Sequence, residues 1–275
     1  MTSAQLHSHD SSRIGPGITA AIAGGGALAL IFMPGVVARV WPGAWGADPD
    51  RLGGSFADFV GEGGRHGAGL QGMVAYWQGF HVVKALLAIV LVVVLTRLAV
   101  LAWRRTAVAP RALSRAGFGV LAAVVSTAAM TSLVIAAANI QGVFAPLSSV
   151  LSLLPLDGSD ARASAAAAGL LAELQTGGAS APLQLLVSDF RDYHAVMAVV
   201  AAVCAAGLLA VSIVLLVRRA RSPRTERRVR RVFALNAWVL PAFAMFFGVV
   251  ALANLSSAEE PAAALLEFFA SGGAL

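Results

Sequence analysis

Two histidines recur in matching surroundings. Residues 70–85 read Leu70-Gln71-Gly72-Met73-Val74-Ala75-Tyr76-Trp77-Gln78-Gly79-Phe80-His81-Val82-Val83-Lys84-Ala85, and residues 183–198 read Leu183-Gln184-Leu185-Leu186-Val187-Ser188-Asp189-Phe190-Arg191-Asp192-Tyr193-His194-Ala195-Val196-Met197-Ala198. Without a gap they share L-Q-x-x-V-x-x-aromatic-x-x-aromatic-H-x-V-x-A. Two imidazoles at one depth on neighbouring helices can ligate a haem axially or hold a metal. His81 and His194 are therefore the candidate cofactor ligands, with haem b as the candidate cofactor and Tyr76, Tyr193, Gln71 and Gln184 nearby.

A plainer reading competes. A histidine flanked by aromatics at the end of a membrane span belongs to the interfacial belt, and duplication copies it whether or not it works. Lys84 follows His81 by three residues on the same helical face, where it hinders a ligand or snorkels outward. Transmembrane cytochromes b usually carry their histidines deeper, often two per helix. A separate metal site would draw on His66 and the acids around it, but no HExxH motif supports one and no metal site is assigned. The single Cys204 excludes an intramolecular disulfide and a CxxC motif.

The elements that carry these histidines follow from composition. The chain has 275 residues, of which 58% are hydrophobic and 12% charged. A soluble domain is about half apolar and about one-quarter charged, so a water-soluble enzyme is excluded, and intrinsic disorder with it. Five segments reach the roughly 20 apolar residues a bilayer requires: Ile18 to Val40, Phe80 to Trp103, Phe118 to Ile140, Tyr193 to Val217 and Val232 to Asn254. The expected fold is an all-α integral membrane bundle of five spans, with amphipathic helices on its outer surface.

Orientation follows from the arginines. Arg104, Arg105, Arg111 and Arg115 lie between spans two and three. Arg218, Arg219, Arg221, Arg224, Arg227, Arg228, Arg230 and Arg231 lie between spans four and five, opposed only by Glu226. The other connections are slightly acidic. Positive charge stays cytoplasmic, which places the N-terminus inside and the C-terminus outside. The eight-arginine loop is read as a contact for anionic lipid head groups, not for nucleic acid. Nearly all basic residues are Arg, and with the Ala and Gly excess this fits a GC-rich bacterial genome and a plasma-membrane location. Arg13 precedes the first apolar stretch without a clean cleavage site, so that stretch is read as an uncleaved span.

A second correspondence links spans three and five. Ala129, Met130, Val134, Ala136, Ala138 and Asn139 match Ala244, Met245, Val249, Ala251, Ala253 and Asn254. Pro146 and Pro261 then each open a short apolar helix. Asn139 and Asn254 are expected to cap their spans or start the following turn. The reading is two and a half parallel repeats: 1–103 with spans one and two, 104–217 with spans three and four, and 218–275 as the half copy. The outer connections, including Ala163 to Leu174 and Ala181 to Val187, are expected to form a helical cap.

No span centre carries an acid, and Arg39, Lys84 and Arg97 lie close enough to span ends to snorkel. Gly24-Gly25-Gly26 fits close packing, and Pro34 and Pro241 fit kinks. No P-loop, G-x-S-x-G or dinucleotide glycine pattern is present. The expected role is a non-enzymatic accessory or scaffold subunit that presents its cap to a membrane-protein partner or lipid. The alternatives are a haem- or metal-binding redox protein using His81 and His194, and a transporter or channel built from parallel repeats.

The orientation makes a direct prediction. A phosphatase reporter fused after Leu275 is expected to be active outside, and one inserted at residue 224 to be inactive. The reverse pattern overturns the assignment.

Overall fold

A computed structural model describes residues 15–273. The N-terminal tail with Arg13 and the last two residues lie outside the described residues. The helices are α1 (Pro16–Ala38), α2 (Leu52–Gly61), α3 (Ala68–Val108), α4 (Ala112–Phe144), α5 (Pro146–Leu151), α6 (Ala161–Thr176), α7 (Ala181–Arg221), α8 (Arg227–Glu259) and α9 (Pro261–Ala270). A 3-10 turn at Pro49–Arg51 precedes α2, and no strand occurs among the described residues. The chain is an all-helical membrane protein in which α1, α3, α4, α7 and α8 are long and apolar enough to span a bilayer.

The long helices form two antiparallel hairpins, α3 with α4 and α7 with α8, and α1 lies along α3. Their lengths match: 41 and 33 residues in the first hairpin, 41 and 33 in the second. Small residues let the helices approach closely. Ala85, Ala88, Ala122, Ala129 and Ala136 are buried in the first hairpin. Ala137, Ala201, Leu208, Ala244 and Phe247 fill the bundle centre. The outward faces are apolar, with Phe32, Val93, Val203, Trp238, Met245 and Leu252 exposed, as helices surrounded by lipid require.

α3 and α7 exceed the membrane. At 1.5 Å per residue, 41 residues span about 60 Å against about 30 Å of hydrocarbon. Their N-terminal thirds therefore stand clear of the span. The segment Ala181–Val187 takes part in the cap as the start of α7, continuous with the fourth span. The helix continues because its protruding face has something to cover: Leu70, Met73, Leu183, Leu186 and Phe190 pack with Leu52, Phe56 and Phe59 of α2, Leu147, Val150 and Leu151 of α5, Leu170 of α6, and Leu265 and Phe268 of α9. These residues form a second apolar core, a cap at one end of the bundle. Each large side chain buried there stabilises it by about 1.5–3 kcal/mol. α2 and α6 cross at Gly53, where a Cβ would collide with the Asp160 carboxylate. Asp160 is occupied there, accepting the Arg162 and Ala163 N–H groups as the α6 cap.

The opposite end carries the arginines. The Ala109 carbonyl at the end of α3 accepts from Arg115 Nη1 at 3.2 Å and from Arg228 Nη1 at 3.5 Å. Arg230 Nη1 donates to the carbonyls of Arg219 (2.7 Å) and Ser222 (2.9 Å) at the end of α7. A helix C-terminus leaves carbonyls unpaired at the negative end of its dipole, and guanidinium groups answer both needs. Arg228 and Arg230 thus have a structural task within the basic loop, and Arg228 joins the two hairpins.

Candidate functional site

His81 and His194 are each engaged by a side chain of a neighbouring helix. Each pairs with an asparagine of its own hairpin, so the two sequence correspondences meet in space. His81 Nδ1 lies 2.8 Å from Asn139 Oδ1, and His194 Nδ1 lies 2.8 Å from Asn254 Oδ1. The expectation that the asparagines cap their spans is corrected: Asn139 and Asn254 lie inside α4 and α8. Each uses its Nδ2 on the carbonyl four residues back, Ile135 at 2.7 Å and Val250 at 2.9 Å.

Those backbone bonds fix the protons. With Nδ2 donating to a carbonyl, each Oδ1 faces the imidazole as an acceptor. Nδ1 must then be the protonated nitrogen, and Nε2 of the neutral ring carries a lone pair. For His81 that lone pair is taken. Ser149 Oγ sits 2.8 Å from Nε2 and also accepts from Trp77 Nε1 at 3.0 Å. A directed chain results: Trp77 N–H to Ser149, Ser149 O–H to His81 Nε2, His81 Nδ1–H to Asn139. It ties α3 to both α4 and α5.

Gly142 makes the contact possible. A Cβ there would stand 2.5–2.8 Å from the His81 ring, closer than packing allows. Trp77 and Phe80 stack at 4.8 Å, and Trp77 meets His81 edge-on at 5.2 Å. Lys84 folds back over the Phe80 ring, 5.0 Å from its centroid, which is a cation–π arrangement.

The second hairpin repeats this layout with one difference. α5 and α9 both begin at a proline after a residue of similar backbone geometry: Ala145 at φ −132°, ψ 68° and Glu260 at φ −122°, ψ 61°. Three residues beyond each proline stand Ser149 and Ala264. Alanine offers no hydroxyl, and His194 Nε2 is buried without a hydrogen-bond partner. Phe190 (4.7 Å) and Tyr193 (5.4 Å) meet this imidazole edge-on.

Polar bonds also cross between hairpins. Gln141 Nε2 donates to the Tyr193 carbonyl at 3.1 Å. Asp189 Oδ2 accepts the Ser148 N–H at 2.6 Å, satisfying a donor that the start of α5 leaves unpaired.

The remaining candidates are dispersed. His66 is exposed and edge-on to Phe59 at 5.2 Å. Gln184 donates to the Ala179 carbonyl at 2.8 Å, and Gln71 is exposed. Tyr76 borders a cavity of about 340 Å³ with Arg39, Trp45 and Met73. Asp48 and Asp50 form a D-x-D spacing that sequence reading passed over; Asp48 accepts the Asp50 N–H and pairs with Arg51, both within the 3-10 turn. His7 and His9, an H-x-H pair also passed over, lie outside the described residues. Among the described residues, no three His, Cys, Asp or Glu side chains converge as a metal site. Ser149 is the participant that sequence reasoning missed: no motif marks it, and only its register after Pro146 could have pointed to it.

No family model matches this chain, and no curated protein or solved structure does either.

The site makes a prediction about sign. Glycine to alanine inside a helix ordinarily gains about 1 kcal/mol. Gly142→Ala is expected instead to lose about 1–3 kcal/mol, because the His81 ring must leave both its partners. Asn139→Ala and Asn254→Ala are each expected to lose about 1–3 kcal/mol by stranding an imidazole N–H. Unfolding in mild detergent, followed by tryptophan fluorescence, measures all three; a stabilised Gly142→Ala contradicts the geometry.

Proposed function

We propose that this multi-pass membrane protein is a non-enzymatic accessory or scaffold subunit. It presents its helical cap at the outer face of the plasma membrane to a membrane-protein partner and rests its arginine end on anionic lipid head groups. One observation carries the reading. The cap is a packed body with its own apolar core, and side-chain bonds from α3 and α7 hold it on the bundle. A surface held in one shape suits recognition. Trp45, Leu153 and Leu185 are exposed apolar side chains on the cap, the kind of residue that anchors a partner.

Internal duplication supports the same picture. The matched helix lengths, the two His–Asn pairs and the two proline-started helices favour a hairpin with its following short helix as the repeated unit, residues 68–151 and 181–270. This division differs from one that pairs spans one with two and three with four. The arginine loops then lie at the cytoplasmic ends of both copies and α1 stands outside the duplication.

The haem reading gains less from this geometry. Both ring nitrogens of His81 are engaged, and each imidazole is bound within its own hairpin. The transport reading meets a bundle centre filled by Ala137, Ala201, Leu208, Ala244 and Phe247.

The test is co-purification in mild detergent from the native host, with a photo-crosslinking residue at position 45 or 185. The proposal expects one membrane protein at fixed stoichiometry, cross-linked from both positions, and its loss in Leu185→Asp. A lone monomer under all conditions overturns it.

A further inference from the structure

We propose that Arg39 and the cavity beside it, between the end of α1 and α3, bind the headgroup phosphate of an anionic phospholipid from the leaflet on the cap side. The headgroup occupies the cavity and the acyl chains stay in the bilayer along α1. This goes beyond the accessory role and stands on different observations.

The first is the cavity. It holds about 340 Å³, and Arg39, Trp45, Ala47, Met73 and Tyr76 are in its wall. That volume lies near the lower end of small-ligand sites, which suits a headgroup and not a whole lipid. The chain builds it from glycines. Gly43 and Gly46 adopt φ of 87° and 82°, a region that favours glycine, and the chain after α1 folds back onto α3. Small residues of α3 receive it closely. A Cβ at Gly72 would stand 3.0 Å from the Trp45 carbonyl oxygen and 3.1 Å from the Ala47 nitrogen, and one at Gly79 would overlap the Trp41 ring. Met73 and Tyr76 follow Gly72 on the same helix and enter the wall.

The second observation is a cation with nothing to hold. Arg39 follows the last residue of α1, yet it does not donate to helix-end carbonyls as Arg115, Arg228 and Arg230 do. Its side chain makes no hydrogen bond or ion pair with another described residue, and neither does the Tyr76 hydroxyl. Three other cations on the cap side are engaged: Arg51 with Asp48, Arg162 with Asp58, and Lys84 over Phe80. No acid stands in the cavity wall to balance Arg39. Depth selects the anion. The 23 residues of α1 span about 35 Å, close to the roughly 30 Å of hydrocarbon, so Arg39 stands at headgroup level. Trp45 and Tyr76 are the aromatic residues expected at that depth. Leu28, Phe32 and Val36 are exposed one turn apart along α1 beneath Arg39, a track for an acyl chain. A guanidinium binds a phosphate through two parallel bonds, and one unbalanced positive charge matches a headgroup with a single net negative charge.

The experiment places a photo-crosslinker in the cavity wall as Trp45→p-benzoylphenylalanine, and at a lipid-facing reference position as Leu252→p-benzoylphenylalanine. The purified full chain is irradiated in nanodiscs of phosphatidylcholine with a minority of phosphatidylglycerol of the same acyl chains, and the adducts are identified by mass. At position 45 phosphatidylglycerol is expected about three- to tenfold above its share of the bilayer, as one charge-assisted contact provides; at position 252 the adducts are expected to follow the bilayer composition. Adding Arg39→Gln is expected to return position 45 to that composition without lowering the unfolding temperature, because no bond within the chain is lost. Excess glycerol 3-phosphate is expected to leave the adducts unchanged, since the acyl chains hold the headgroup in place. No enrichment at position 45, or enrichment that survives Arg39→Gln, overturns the proposal. Displacement by glycerol 3-phosphate overturns the lipid as its source. The purified chain carries no partner, so failure of this site leaves partner capture by the cap untouched and the two results are separable.

Discussion

An imidazole bonded to a carboxamide near one end of each helix pair is the interaction on which the rest of this structure depends. Lipid offers little drive for one apolar helix to choose another, because tails are as apolar as leucine. Small alanines permit close approach along α3–α4 and α7–α8 but do not set register. A bond between Nδ1 and an asparagine does, since a shift of one residue breaks it. His81–Asn139 and His194–Asn254 therefore fix how far each helix is pushed past its neighbour.

That register decides where the cap sits. With α3 and α4 locked, the break after Phe144 places Pro146 and the α5 turn beside the protruding part of α3. Ser149 then reaches both Trp77 and His81. The same break after Glu259 sets α9 against α7. Apolar side chains from six helices meet above the bundle and bury one another. At the other end, guanidinium groups close the helix termini and link the hairpins through the Ala109 carbonyl. The polar bonds choose the arrangement, and the apolar area stabilises it.

Much of this was legible in the residues. Five spans follow from apolar run lengths, and Pro146 and Pro261 do start short helices. The recurring histidines and asparagines were visible too, but not as partners. Sequence gives the depth of a residue along its helix; it does not say which neighbour that helix faces, so Asn139 read as a cap. The protruding ends of α3 and α7 were missed for a related reason. Polar residues such as Gln71, Gln78, Ser188 and Arg191 end an apolar run, yet a helix continues through them when its other face is covered. Ser149 against Ala264 was a plain difference in letters, and it acquired meaning only with Nε2 of each ring in place. Gly142 carried no signal until the imidazole stood against it.

The most direct test of the account is the nitrogen spectrum of the two histidines in a bilayer, recorded at neutral pH on protein labelled with ¹⁵N-histidine and assigned with His81→Gln and His194→Gln. The account predicts that both rings are neutral and carry their proton on Nδ1, with a hydrogen-bond signature from Nδ1 to the asparagine. A proton found on Nε2 of either ring would contradict it, because the asparagine oxygen would then face a lone pair and the register of that hairpin would have no lock.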